Sequence, residues 1–244
     1  MAIQGLYKIF DHWHKEGSTW IISDTHFGDK DLAVGISKRP SDEDLVKAIN
    51  SKCGKSDTLI HLGDVGDVKY VKKLRAKRKI LIMGNHDKGR SNYERKIYID
   101  RFDADEYTKE QALAEAKKRH KDCRYEIYEG HQFVKPFIYW RIKSDNMLFD
   151  EVYEGPLMIA EKLILSHEPL ELAWAFNLDG HDHQGTWRKR SYNVCVDVNN
   201  YLPTNFNQWM KAGHMSKIET IHRDTIDRAT ERKRKRGGNK IGER

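Results

Sequence analysis

Short apolar runs that stop abruptly at polar side chains able to bind a metal recur along the chain. Trp20-Ile21-Ile22-Ser23 runs into Asp24-Thr25-His26, Leu59-Ile60-His61-Leu62-Gly63 into Asp64, and Ile80-Leu81-Ile82-Met83-Gly84 into Asn85-His86-Asp87. Further on, Leu163-Ile164-Leu165-Ser166 meets His167, and Phe176-Asn177-Leu178-Asp179-Gly180 meets His181-Asp182-His183. Apolar runs of this length, bounded by Gly or Ser, read as strands buried on both faces. Between the first two, Ser41-Asp42-Glu43-Asp44 has capping-box spacing and Leu45, Val46 and Ile49 form one stripe, which predicts a helix ending near Gly54. A second helix is expected over 68–77, with Val68, Val71 and Leu74 on one side, and closing helices over 204–212 and 216–231. Residues 192–197 read as a further strand. Strand and helix in alternation imply an α/β fold with a mostly parallel inner sheet, and such sheets bind ligands beyond the carboxyl ends of their strands.

The stretch 88–147 breaks this rhythm. Residues 108–120 read as a helix and 124–128 and 132–140 as strands, and ten of the chain's 25 aromatic residues lie within it. The pattern predicts an inserted α+β element, its base at the strand end that carries His86 and Asp87. A cap over the site is one role for it and a partner-binding surface the other. The domain organisation expected is therefore one domain over 1–227, interrupted by 88–147, with a separate tail at 228–244.

The net charge of +7 is concentrated in that tail, where eight basic residues against Glu231 and Glu243 leave +6, and +1 for the remainder of the chain. A segment so charged is expected to be disordered, and it is a candidate contact for nucleic acid. No membrane span or secretory leader is expected, which makes the cytoplasm the default compartment. Three widely spaced cysteines, Cys53, Cys123 and Cys195, read as reduced bystanders.

Carboxylate, imidazole and amide groups without thiolate suit Mn²⁺, Fe²⁺, Zn²⁺ or Ni²⁺ and argue for a catalytic rather than a structural metal site. Two ions about 3.5–4 Å apart need a bridging carboxylate, and together with Asp24, Asp64 and one hydroxide they leave an excess positive charge that suits a phosphate substrate.

The five blocks Asp24-Thr25-His26, Gly63-Asp64, Gly84-Asn85-His86-Asp87, Ser166-His167 and Gly180-His181-Asp182-His183 resemble, in order and spacing, the signature of the calcineurin-like metallophosphoesterases. The strings 23–28 and 196–201 are similar to a small bacterial and phage branch. The resemblance implies an αββα sandwich, two packed mixed sheets flanked by helices. It also implies two divalent ions, Mn²⁺ foremost. The first would be held by Asp24, His26, Asp64 and His183, the second by Asp64, Asn85, His167 and His181. His86 would assist the leaving group, oriented by Asp87, while metal-bound hydroxide attacks a phosphodiester or phosphomonoester. Asn85 and Arg90 are candidate substrate contacts, with Arg95 and Arg141 as further phosphate contacts. The sequence lacks the Asp-Arg-Gly continuation after Asp64 and has Asp87 where the serine/threonine phosphatase branch has Glu, which disfavours protein phosphatase activity.

Two alternatives stand beside this reading. A binding module on the same fold would have lost catalytic residues, as in the retromer subunit, whereas every expected group is present here. A nucleic-acid-binding protein or nuclease would use the basic tail. Histidines outside the blocks (His12, His14, His61, His120, His131, His214, His222) read as structural; Asp67 and Asp182 are candidates to support the ligands, and Trp174, Phe176 and Trp187 to line the core or the site wall. Oligomeric state is not legible.

Overall fold

The computed structural model describes residues 17–35, 39–132, 137–159, 162–172, 175–214 and 231–232. The expected helix over 216–231 and almost all of the basic tail lie outside these residues. Among the described residues, twelve strands form three sheets. The first runs β12 (Thr204–Asn205), β1 (Thr19–Ile22), β2 (Thr58–His61), β3 (Arg78–Ile82) and β7 (Glu151–Tyr153), all parallel except β12. The second runs β11 (Ser191–Asn193), β10 (Phe176–Asp179), β9 (Leu163–Leu165) and β8 (Leu157–Ile159), with only β8 antiparallel.

The two sheets pack face to face because alternate residues of each strand are apolar on the shared side. Ile21, Ile60, Leu62, Ile80 and Ile82 of the first sheet meet Leu163, Leu165, Phe176 and Leu178 of the second, closed by Phe206 and Trp209 of α5 (Phe206–Lys211). The other side of the first sheet buries Ile22 and Leu59 against Leu45, Val46 and Ile49 of α2 (Asp42–Lys52). That helix starts as its sequence predicts, with the Ser41 side chain accepting from the Asp44 N–H. A short α1 (Lys30–Gly35) precedes it. The mixed α/β sandwich expected from the sequence is thus what the chain builds, and among the described residues no helix is long and apolar enough to cross a membrane.

Two predicted elements are shorter than expected. The second helix, α3, covers only Val68–Val71, after which Lys73 and Leu74 bond three residues back. The tighter turn has a purpose in packing: Val71 joins one core cluster and Leu74 another, where a continuous helix would put both on one face. The expected strand over 192–197 stops at Asn193, whose side chain accepts from the Cys195 N–H. The chain then crosses to the other sheet, where Cys195 pairs with Ser23.

The third sheet, β4 (Ile97–Asp103), β6 (Phe137–Asp145) and β5 (Arg124–Gln132), is antiparallel and is covered on one side by α4 (Lys109–Arg119). Its helix and two of its strands were anticipated, although β5 runs on to Gln132 and β6 starts only at Phe137. The segment leaves the first sheet at the metal-facing end, as the sequence suggested, where Tyr93 Oη accepts from the Lys88 N–H, but the three-stranded sheet itself is anchored at the other end of β3. Tyr93 packs back along β3 against Leu81, and Arg95 pairs with Asp145 and Asp150, which in turn holds the Lys79 N–H. Lys79 lies at the start of β3, opposite the end leading to Asn85. Its own ammonium is buried and donates to the carbonyls of Val71 and Met147; burial pushes its pKa down to about 8.

Candidate metal centre

The strand ends bring together the side chains that the five blocks supply. β1 delivers Asp24 and His26, β2 delivers Asp64, β3 delivers Asn85 and His86, β9 delivers His167, and β10 delivers His181 and His183. Four of these residues sit in the left-handed backbone region: Asp24 at φ 57°, His26 at 40°, Asp64 at 56° and His181 at 63°. For residues with a side chain this conformation is strained, and such strain collects where a site needs a particular direction. Two glycines make room. A Cβ at Gly84 would lie 2.3 Å from Asp64 Oδ1, and one at Gly180 would lie 2.3 Å from Asp24 Oδ2.

The groups form two clusters, Asp24 with His26 and His183, and Asp64 with His167 and His181, each with its ligand atoms within 4.8 Å of one another. Asp64 stands between them: its Oδ2 is 3.3 Å from His26 Nε2 and 3.3 Å from His167 Nε2. Its Oδ1 accepts from the His86 N–H at 3.0 Å. Burial works to raise the Asp64 pKa, but the neighbouring imidazoles of His167 and His26 and the hydrogen bond from the His86 N–H outweigh it and hold the carboxyl ionised well below the usual range. Asn85 Oδ1 completes the second cluster, 2.8 Å from His167 Nε2.

The tautomers show why this arrangement fits cations. His167 Nδ1 is 2.9 Å from the Leu62 carbonyl, which can only accept, so the hydrogen is on Nδ1 and Nε2 carries the lone pair. That lone pair faces Asn85 Oδ1, Asp64 Oδ2 and, at 3.2 Å, His181 Nδ1. In the other cluster, His183 Nδ1 lies 2.6 Å from Asp197 Oδ2, leaving Nε2 to face Asp24 Oδ1 at 3.9 Å. Asp24 Oδ1 and His26 Nε2 are buried without a hydrogen-bond partner. Acceptors aimed at one another in a partly buried site repel; a divalent ion in each cluster would satisfy them together. Consistently, burial alone would lower the His167 pKa, yet Asp64 and Asp24 raise it, so this site favours positive charge.

Two supporting residues were not anticipated. Asp197 fixes the His183 ring, and Arg39 pairs with the same carboxylate oxygen while its other nitrogen donates to the Asp24 and Thr25 carbonyls at 3.0 and 2.8 Å. Burial works to raise the Asp197 pKa, but His183 and Arg39 hold it low. Asp197 carried a readable signal, an apolar run ending in an acid like the recognised blocks. Arg39 carried none.

Other expected roles need correction. Asp87 does not orient His86: its carboxylate accepts from the N–H groups of Asp64, Val65 and Gly84, shaping the loop beneath Asp64. The exposed His86 ring has as its described neighbour His26, with ring centres 5.4 Å apart. Arg90 pairs with Glu94, and Arg95 with Asp145 and Asp150. Asp67 caps α3 and Asp182 caps its own loop. Phe176 is core, whereas Trp187 is 81% exposed rather than part of the core, and Trp174 lies outside the described residues. His61 is structural as expected, its Nε2 bound to Thr25 Oγ1 at 2.9 Å.

A family model described as calcineurin-like phosphoesterase matches residues 17–196. No curated protein matches the chain. Among solved structures it is similar to a protein of unknown function, AQ665 from Aquifex aeolicus, with 20% identity and a TM-score of 0.48, over 80% of this chain and 99% of that one.

Proposed function

Because the chain belongs to the calcineurin-like phosphoesterase family, we propose that its strand-end site hydrolyses a phosphodiester or phosphomonoester with the help of two divalent ions, Mn²⁺ foremost. Asp24, His26, Asp64 and His183 would hold one, and Asp64, Asn85, His167 and His181 the other. The observation that carries this reading is the position of Asp64 Oδ2, 3.3 Å from an imidazole nitrogen of each cluster, as a shared ligand requires. Such a pair of ions supplies Lewis acidity and an activated water for in-line displacement.

The chain's own residues do the rest. Asn85 contributes a neutral oxygen, so the site keeps the positive excess that draws an anionic ester. His86 belongs to neither cluster, is exposed at the mouth, and is bound to the site through its backbone, which leaves its ring free to give a proton to the departing oxygen. Asp87 holds the loop on which Asp64 and His86 sit, and Asp197 with Arg39 keeps His183 in one tautomer.

The test is hydrolysis of nitrophenyl phosphate and bis-nitrophenyl phosphate by chelator-treated protein, with and without added Mn²⁺, Fe²⁺, Zn²⁺ or Ni²⁺. Turnover restored by an added ion is the expected result, and the ratio of the two rates separates monoesterase from diesterase. No turnover of either ester with any of the four ions would refute the reading.

A further inference from the structure

The antiparallel sheet β4–β6–β5 has two unlike faces. One, bearing Phe102, Trp140, Ile142 and Ile127, packs on α4. The alternate positions make up the other, and the side that soluble proteins usually cover with mixed charges is here aromatic, aliphatic and basic. Ile99 is 45%, Tyr128 54% and Phe137 37% exposed on it.

Two features of this face are not explained by ion pairing within the fold. Arg101 of β4 and Arg141 of β6 are directly opposite in register, both exposed, and neither has a carboxylate partner among the described residues. Like charges placed directly across two strands destabilise the pairing, so a surface selected only for folding would not keep them. The acids nearest in register are already engaged. Glu126 takes contacts from Lys143, Arg124 and Tyr128, and Asp103 accepts from the Asp105 N–H. The second feature is Tyr139. A Cβ at its cross-strand neighbour Gly130 would fall 2.4 Å from Tyr139 Cζ, so the ring lies down across the sheet, in space that only glycine leaves open. The Arg101 guanidinium is 5.2 Å from the centre of that ring and Phe137 is 5.6 Å from it on the next outward position of the strand.

We propose that this open face binds single-stranded nucleic acid, independently of the metal centre, with Arg101 and Arg141 taking backbone phosphates and the exposed Tyr128 offering a flat surface on which a base stacks. Charge complementarity selects this occupant: two unneutralised guanidiniums beside an exposed aromatic ring match a polymer that alternates phosphates with π-faces. A duplex hides its base faces and is bound less well. An apolar protein partner would leave both arginines uncompensated.

The experiment is fluorescence anisotropy with labelled oligothymidylate and oligouridylate of twelve nucleotides and a duplex of equal length, using the full-length chain at several salt concentrations. Binding should favour the single strands. Arg101→Gln with Arg141→Gln should flatten the dependence of log affinity on log salt by about 1.4, the single-strand value for two lost phosphate contacts. Tyr128→Ala should weaken binding about 5- to 160-fold, the range of one lost stacking surface. Tyr128 is more than half exposed, so its loss leaves the fold intact, and equal melting temperatures check this. No binding even at low salt would overturn the proposal. So would binding that survives these substitutions but disappears when residues 232–236 are all changed to Gln in the full chain, because the tail would then be the contact. A self-association abolished by the same sheet substitutions, without oligonucleotide binding, would overturn it in favour of a protein interface. Hydrolysis of the aryl phosphates by the unaltered chain is read separately, so failure here and failure of the phosphoesterase reading remain distinguishable.

Discussion

Replacing Asp197 should damage one metal position and spare the other. Its Oδ2 is 2.6 Å from His183 Nδ1 and also pairs with Arg39, and both side chains of the ion pair are nearly buried, at 3% and 5% exposure. In Asp197→Ala, the Arg39 guanidinium keeps its bonds to the Asp24 and Thr25 carbonyls but loses its counter-charge, and breaking one side of a buried pair typically costs about 3–5 kcal/mol. For a chain of this length that corresponds to a fall in Tm of about 6–20 °C. Asp197→Asn retains an oxygen for the His183 N–H but not the charge, so it should fold better while still loosening the ring. Loss of such an outer partner usually lowers metal affinity about 10- to 100-fold. Isothermal titration of chelator-treated Asp197→Asn with Mn²⁺ should therefore show one weakened site, that of Asp24, His26 and His183, and one unchanged. Equal weakening of both sites, or of neither, would refute the division of labour drawn from the geometry.

Other outcomes follow from single residues. His86→Ala should lower kcat by about 10²- to 10⁴-fold, the usual range for a lost proton donor, with bound metal unchanged by elemental analysis; metal loss or full turnover would contradict its placement. His61 should govern part of the acid stability. Burial pushes its pKa down to about 3, so between there and about 6.5 the unfolded chain holds a proton that the folded one does not, and stability rises with pH across that window. His61→Gln, which keeps a donor toward Thr25, should flatten the plot of unfolding free energy against pH by up to about 1.4 kcal/mol per pH unit, as measured by urea titration; an unchanged slope would show that His61 does not titrate in this way.

Much of the centre was legible because a parallel strand buried on both faces leaves an apolar run, and the residue just past it must do something else. Five such endings mark Asp24, Asp64, Asn85, His167 and His181 in the sequence. What the pattern could not convey was contact between distant segments. Asp87 looked like a partner for its neighbour His86, yet its carboxylate turns back to the amides of the Asp64 loop. Arg39 reaches the site only because the chain folds it onto Asp197, 158 residues away. The inserted sheet is recognisable from its strand pattern and aromatic content, but its anchorage at Lys79 depends on Arg95, which the sequence offers as a phosphate contact, and on its pairing with Asp145 and Asp150, which the sequence does not mark. The shortened α3 likewise reflects two separate cores competing for Val71 and Leu74, a choice invisible to helical periodicity.

The account rests above all on a carboxylate shared between two ions. Elemental analysis of chelator-treated protein reloaded with Mn²⁺ and desalted, beside Asp64→Ala treated identically, tests it most directly. Two ions per chain in the native sequence, with both positions depleted by the one substitution, is the predicted result. Native protein that retains no ion, or an Asp64→Ala chain that still holds two, would contradict it.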